Sequence, residues 1–234
     1  MLGGVIFDFD GVIVDSHPAH MLAWKELLLI KGKATNDADL SFVREGAKRE
    51  EILRHFLGEL TPDQIVSYGL EKDKLFQARA GELSLIPGFA EFLLQLDALG
   101  LLSVVATSGS RSRVEQTLES LNLRKRFHAV VTGTDVERGK PDPSLFLLAA
   151  QILHVDASRI LVCEDAVAGV LAAKTAGMKS LAIAANGRES LLKEAGADLV
   201  VKDFTFTSLE TVTRLFARTH SQGNLSKNTE PQNS

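Results

Sequence analysis

The chain has 234 residues, 26 basic and 30 acidic side chains, a net charge of −4 and a 45% hydrophobic composition. That suits a globular protein with a sizeable core, and the acidic balance gives no electrostatic reason to expect nucleic acid. No apolar run approaches the roughly 20 residues of a membrane helix, and the single cysteine, Cys163, rules out an intrachain disulfide or a cysteine-rich zinc site. The start, "MLGGVIFD", lacks the pattern of a signal peptide, so the cytoplasm is the expected compartment, with no membrane partner.

In chain order, short apolar runs recur at 5–7, 101–106, 129–131, 160–163, 180–185 and 199–201. They are nearly continuous rather than alternating, as expected of strands covered on both faces in a parallel sheet. Helical stretches separate the later runs: "FAEFLLQLDALG", "RVEQTLESL", "PSLFLLAAQIL" and "AVAGVLAAKTAG", the last stopping at Gly177. The alternation predicts a doubly wound, Rossmann-like α/β core made of residues 1–15 and 84–218. Between the first two runs, residues 16–83 hold amphipathic helix-like segments instead, and "TPDQ" at 61–64 has the form of a capped helix start. About 70 residues is too long for an ordinary crossover, so an inserted helical cap domain is expected there. Residues 219–234 are polar and aperiodic and read as a flexible tail.

Ligands of an open parallel sheet sit beyond the carboxyl ends of its strands. Here the first run ends in Asp8-Phe9-Asp10, the second in Thr107-Ser108-Gly109 and the fourth in Glu164-Asp165. The third is followed by "GTDVERGKPDP", with Lys140 just before a helix that Asp142 can cap. Any one of these is ordinary, since strand-end acids often cap helices and a lone lysine is usually solvated. Together they bring four carboxylates, two hydroxyls and one ammonium to one rim. Asp8, Glu164 and Asp165 supply hard oxygen ligands that suit Mg²⁺ better than zinc. A carboxylate can attack phosphorus to give an aspartyl-phosphate. Lys140, the hydroxyls and the backbone amides near Gly109 could then hold the phosphoryl charge. Asp10, its proton affinity raised by neighbouring carboxylates, could serve as acid and base.

"DFDGVIVDS", "ATSGS", "GKPDP" and "CEDAVAGVLAAKTAGM" resemble the four motifs of the haloacid dehalogenase-like (HAD) superfamily, in order and suitably spaced. The resemblance covers the chain except its tail, and is strongest to the branch holding β-phosphoglucomutase, phosphoglycolate phosphatase and sugar-phosphate phosphatases. It implies Asp8 as nucleophile, Asp10 as general acid/base, Thr107 as phosphoryl-binding hydroxyl and Lys140 as stabilising cation. It also implies Mg²⁺ held by Asp8, the Asp10 carbonyl and Asp165, with Glu164 close by, and a helical cap that selects the substrate. Ser108 and Gly109 belong to the same phosphate-binding turn.

In the cap, the resemblance implies His20, in "DSHPAHMLAWKELL", beside the acid/base. It implies Arg49, in "EGAKREEIL", for the distal phosphate of a bisphosphate, and Lys72, in "GLEKDKLF", as a later lysine facing the site. Ala47-Lys48 replaces the small β-branched residue and serine usual in the mutases. Trp24 reads as cap packing and Cys163 as a buried structural thiol. The leading expectation is a monomeric Mg²⁺-dependent phosphatase acting on a small phosphorylated metabolite. The alternatives are a phosphomutase using a sugar bisphosphate and a non-catalytic protein that binds a phosphorylated ligand.

Overall fold

The computed structural model describes residues 1–36, 38–40, 43, 49–185 and 187–217. The expected tail, and the Ala47-Lys48 departure, lie outside the described residues. Within them six strands form one parallel sheet in the order β3-β2-β1-β4-β5-β6. These are β1 (Gly4–Phe7), β2 (Leu102–Thr107), β3 (Ala129–Thr132), β4 (Ile160–Glu164), β5 (Lys179–Ile183) and β6 (Leu199–Val201). In register, Phe7 of β1 stands beside Val105 of β2 and Cys163 of β4. The order reverses at β1 and β4, so the crevice of the switch point opens beside their carboxyl ends.

Alternate residues of each strand feed opposite faces. Val5, Phe7, Val105, Leu161 and Cys163 join a cluster with Phe89, Phe92 and Leu96 of α4 (Phe89–Ala98) and Val114 and Leu118 of α5 (Arg111–Ser120). Ile6, Val104, Ala106, Ile160 and Val162 join Leu145, Phe146 and Ala149 of α6 (Ser144–Leu153) and Ala172 and Ala173 of α7 (Val167–Thr175). Both faces are therefore covered, which is why the strands read as continuous apolar runs. Gly177 takes a positive φ of 73° just past α7, as a helix-stopping glycine should. At the sheet's far end α8 (Glu189–Glu194) packs against β6, and α9 (Leu209–Arg214) packs against α4.

Between β1 and β2 the described residues hold α1 (His17–Ile30), α2 (Arg49–Leu57) and α3 (Pro62–Gln77) and no strand. These helices enclose their own cluster, with Met21, Trp24, Leu27, Leu28, Ile52 and Leu53 all buried. The start of α3 is the capping box read from "TPDQ": Thr61 Oγ1 accepts from Gln64 N at 3.3 Å, and Gln64 Oε1 accepts from Thr61 N at 2.9 Å. The chain leaves and returns side by side, since Asp15 N donates to Ser84 O and Ile86 N to Ile13 O. No helix among the described residues is long and apolar enough to cross a membrane.

Phe92 is fully buried, and its ring lies 6.3 Å from Phe7 and 5.0 Å from Phe204. Phe92→Ala should cost about 3–5 kcal/mol in a denaturant melt; a loss below about 1 kcal/mol would mean that this aromatic cluster does not anchor the core.

Candidate active site

The carboxyl end of β1 carries two acids whose surroundings differ sharply. Asp8 meets Lys140, which approaches from the loop after β3. Lys140 Nζ donates to Asp8 Oδ1 at 2.6 Å and to Glu164 Oε1 at 2.5 Å, bridging the ends of β1 and β4. The second Glu164 oxygen accepts the backbone amides of Asp165 and Ala166, both at 2.8 Å. Glu164 is thus tied at both oxygens, and it is 1% exposed. Asp142 Oδ1 accepts the Ser144 amide at 3.0 Å and steadies the loop that carries Lys140, although α6 begins at Ser144 with Pro143, not Asp142, at its N-cap.

Two buried carboxylates, Asp8 and Glu164, share one ammonium, and the partly buried Asp165 stands beside them with His17 Nε2 at 3.4 Å. Burial first, then the neighbouring acids, push Asp8 up to about 7 against the pull of Lys140, and push Asp165 well above the carboxylate range. Gly11 allows this crowding, because a Cβ there would fall 2.3 Å from Asp165 Oδ2. Among the described residues no three His, Cys, Asp or Glu side chains are arranged as a metal cluster. The expected set needs only two, Asp8 and Asp165, with a main-chain carbonyl. A buried surplus of hard-oxygen charge is the donor chemistry a divalent cation neutralises, so the residues present fit the ion.

Asp10 sits in a different network. Arg113 Nη1 donates to its Oδ1 at 2.9 Å and Nη2 to its Oδ2 at 2.6 Å, a two-pronged ion pair with a guanidinium only 4% exposed. Ser16 Oγ at 2.6 Å and His20 Nε2 at 3.2 Å also reach Oδ1. Burial alone would raise Asp10, but Arg113 and His20 outweigh it and hold the carboxyl well below its usual range. This corrects the sequence-based expectation of a raised proton affinity. The neighbouring acids raise Asp8, while Asp10 answers to a cation not identified from the sequence. Arg113 lies on α5, at the head of the stretch "RVEQTLESL". The signal was Gly109, since a Cβ there would stand 2.2 Å from Arg113 Nη2.

The other candidates converge on one cavity of about 410 Å³ between the sheet edge and the inserted helices. Thr107, Ser108, Gly109, His20, Arg49 and Lys72 all line it with Asp8 and Asp10. Its size is that of a small-molecule site. The Gly109 amide donates to Thr107 Oγ1 at 3.0 Å, which orients that hydroxyl. On the side of the inserted helices, His20 stacks on Phe76 with ring centroids 4.3 Å apart, and its Nδ1 lies 2.5 Å from Lys72 Nζ. With the Lys72 ammonium as donor, Nδ1 accepts and Nε2–H points at Asp10. Burial, then Lys72, bring His20 down to about 4, so the ring is neutral near pH 7. Trp24 packs in the helical cluster and also borders the cavity. Cys163 is buried, and burial pushes its thiol well up.

The sequence matches the family described as "Haloacid dehalogenase-like hydrolase" over residues 5–183. It is 34% identical over 215 residues to Beta-phosphoglucomutase of Bacillus subtilis, covering 88% of this chain and 92% of that protein. It is 31% identical over 212 residues to Hexitol phosphatase A of Escherichia coli, covering 90% of this chain and 93% of that one. The fold superposes on beta-phosphoglucomutase from Clostridium difficile with a TM-score of 0.81 at 24% identity, over 92% of this chain and 97% of the other.

Lys72 yields a test of this electrostatic picture. Burial first, then Arg113, bring its ammonium from 10.5 to about 7, against the pull of Asp73 and Asp10. Between these two values the unfolded chain holds the extra proton, so stability rises with pH from about 7 toward 10.5 through this group. Urea midpoints of the unaltered protein and Lys72→Met, compared at pH 7 and pH 10, should show that rise flattened in the variant. Parallel pH profiles would mean that Lys72 keeps its ordinary proton affinity.

Proposed function

The chain belongs to the haloacid dehalogenase-like hydrolase family, and within it we propose a Mg²⁺-dependent phosphatase. Its substrate on this reading is a small phosphomonoester, in first place a sugar phosphate. One observation carries the proposal: two acids two residues apart face one cavity, one paired with Lys140 and the other with Arg113.

In this reading Asp8 Oδ attacks phosphorus, a P–O bond forms to Asp8, and the bond to the departing alkoxide breaks. The alkoxide takes a proton from Asp10. Water then attacks the aspartyl-phosphate while Asp10 takes the proton back, and inorganic phosphate leaves. Lys140 and the hydroxyls of Thr107 and Ser108 hold the equatorial oxygens, whose charge must be met throughout. Asp8 and Asp165, with the Asp10 carbonyl, would hold Mg²⁺, which supplies charge neutralisation for the incoming phosphoryl group. Glu164, spent on Lys140 and two amides, positions that ammonium rather than binding the ion. Held low by Arg113, Asp10 is ionised and has no proton to give the alkoxide, so the Arg113 contact must loosen and Asp10 take up a proton when the ester binds.

Hexitol phosphatase A supports hydrolysis as the outcome, and Beta-phosphoglucomutase favours a second reading in which a sugar hydroxyl replaces water. Both share the first half-reaction. Supplying β-glucose 1-phosphate with a trace of the 1,6-bisphosphate separates them: release of inorganic phosphate marks the phosphatase, glucose 6-phosphate without it the mutase.

The reading predicts that chelation abolishes turnover and Mg²⁺ restores it, and that Asp8→Asn is inactive. Asp10→Asn should lose about 10²–10⁴-fold on alkyl phosphates and much less on an activated aryl phosphate, whose leaving oxygen needs little help. Steady-state kinetics on both ester types checks this; equal losses would deny Asp10 its proton transfer.

A further inference from the structure

Away from Lys140 the cavity is lined by three cations, Arg49 and Lys72 of the inserted helices and Arg113 of α5, and a substrate with a second phosphate would need at least one of them. Arg113 is committed to Asp10. Lys72 donates to the neutral His20 ring. Arg49 is met by an acid of the protein itself, its Nη2 lying 2.9 Å from each carboxylate oxygen of Asp73.

The Arg49–Asp73 pair is held in place from several sides. Asp73 is on α3, one turn after Gly69, so the two share a helix face. A Cβ on Gly69 would meet Arg49 Nη1 at 2.6 Å and Cδ at 2.7 Å, so the helix is cut back to let the guanidinium lie beside Asp73. Ser110 holds Asp73 from the core side. It occupies the N-cap of α5, where a serine ordinarily accepts from its own helix. Here it caps nothing and donates its hydroxyl to Asp73 Oδ2 at 3.2 Å. The Asp73 side chain is 15% exposed.

We propose that Asp73 is a specificity-determining residue. Its carboxylate fills the place of a second substrate anion at Arg49, so the cavity selects phosphomonoesters whose remaining part is uncharged. A second phosphate would have to displace Asp73 from Arg49 and then face it as a like charge in a cavity where screening is poor. A hydroxylated, uncharged chain meets no such conflict and can donate to the same carboxylate. This deepens the phosphatase reading and rests on it, because a phosphomutase must seat a bisphosphate that Asp73 disfavours.

The test is calorimetric binding with Mg²⁺ present, using the Asp8→Asn chain so that neither ester is consumed. The probes are fructose 6-phosphate and fructose 1,6-bisphosphate. The monophosphate should bind at least about tenfold more tightly. Adding Asp73→Asn should erase or reverse that ratio through tighter binding of the bisphosphate, and adding Arg49→Gln as well should abolish the gain. Asp73→Ser, which removes the charge from a smaller side chain, repeats the test should the amide perturb the fold. An unchanged ratio without the Asp73 carboxylate, a gain that survives Arg49→Gln, or no binding of either probe overturns the proposal. Phosphate release is read separately on the unaltered chain. A ratio that shifts as expected without hydrolysis would sink the phosphatase reading and leave the role of Asp73 standing.

Discussion

A single ammonium holds the centre together. Lys140 lies between Asp8 and Glu164, and without it the ends of β1 and β4 would bring buried carboxylates together with nothing to offset them. Removing one partner from such a cluster leaves uncompensated buried charge, which costs far more than a surface ion pair contributes. The sheet order follows suit, since only at the switch between β1 and β4 can acids from two strands meet one lysine from a third loop. Lys140 contacts only two of the three acids at this rim, and the crowding that raises Asp8 and Asp165 is what suits the site to a metal ion.

Asp10, two residues from Asp8, escapes that crowd by turning to the helices. Its partners come from the linker, α1 and α5, namely Ser16, His20 and Arg113, and His20 passes the chain of contacts on to Lys72 of α3. Adjacent acids therefore acquire opposite proton affinities from one strand end. Asp8 is shifted by burial among anions, Asp10 by a buried guanidinium. The same arrangement ties the inserted helices to the end of β1, so any displacement of those helices acts directly on Asp10.

The parts of this legible in the sequence are those set by local chemistry or strand ends. Continuous apolar runs gave the two-sided sheet, "TPDQ" gave its capping box, and the acids after each strand met at one rim because parallel strands all end on the same side. Arg113 and Asp73 were not legible. Each is a charge on a helix rich in charges, and whether such a side chain faces water or a cavity depends on how the helix sits on its neighbours. Their traces were indirect, small residues at Gly109 and Gly69 that leave room for a guanidinium. The error over Asp10 has the same origin, because a pKa depends on every nearby charge and the sequence showed only those on adjacent strand ends.

The central claim, that the first acid of β1 becomes covalently phosphorylated, is tested most directly by rapid acid quench of the protein turning over a phosphate ester with Mg²⁺, followed by peptide mapping. The account predicts a phosphoryl group on the peptide containing Asp8, lost on treatment with hydroxylamine and absent from Asp8→Asn. Sustained turnover by Asp8→Asn, or a phosphoryl group trapped on another residue, would contradict it.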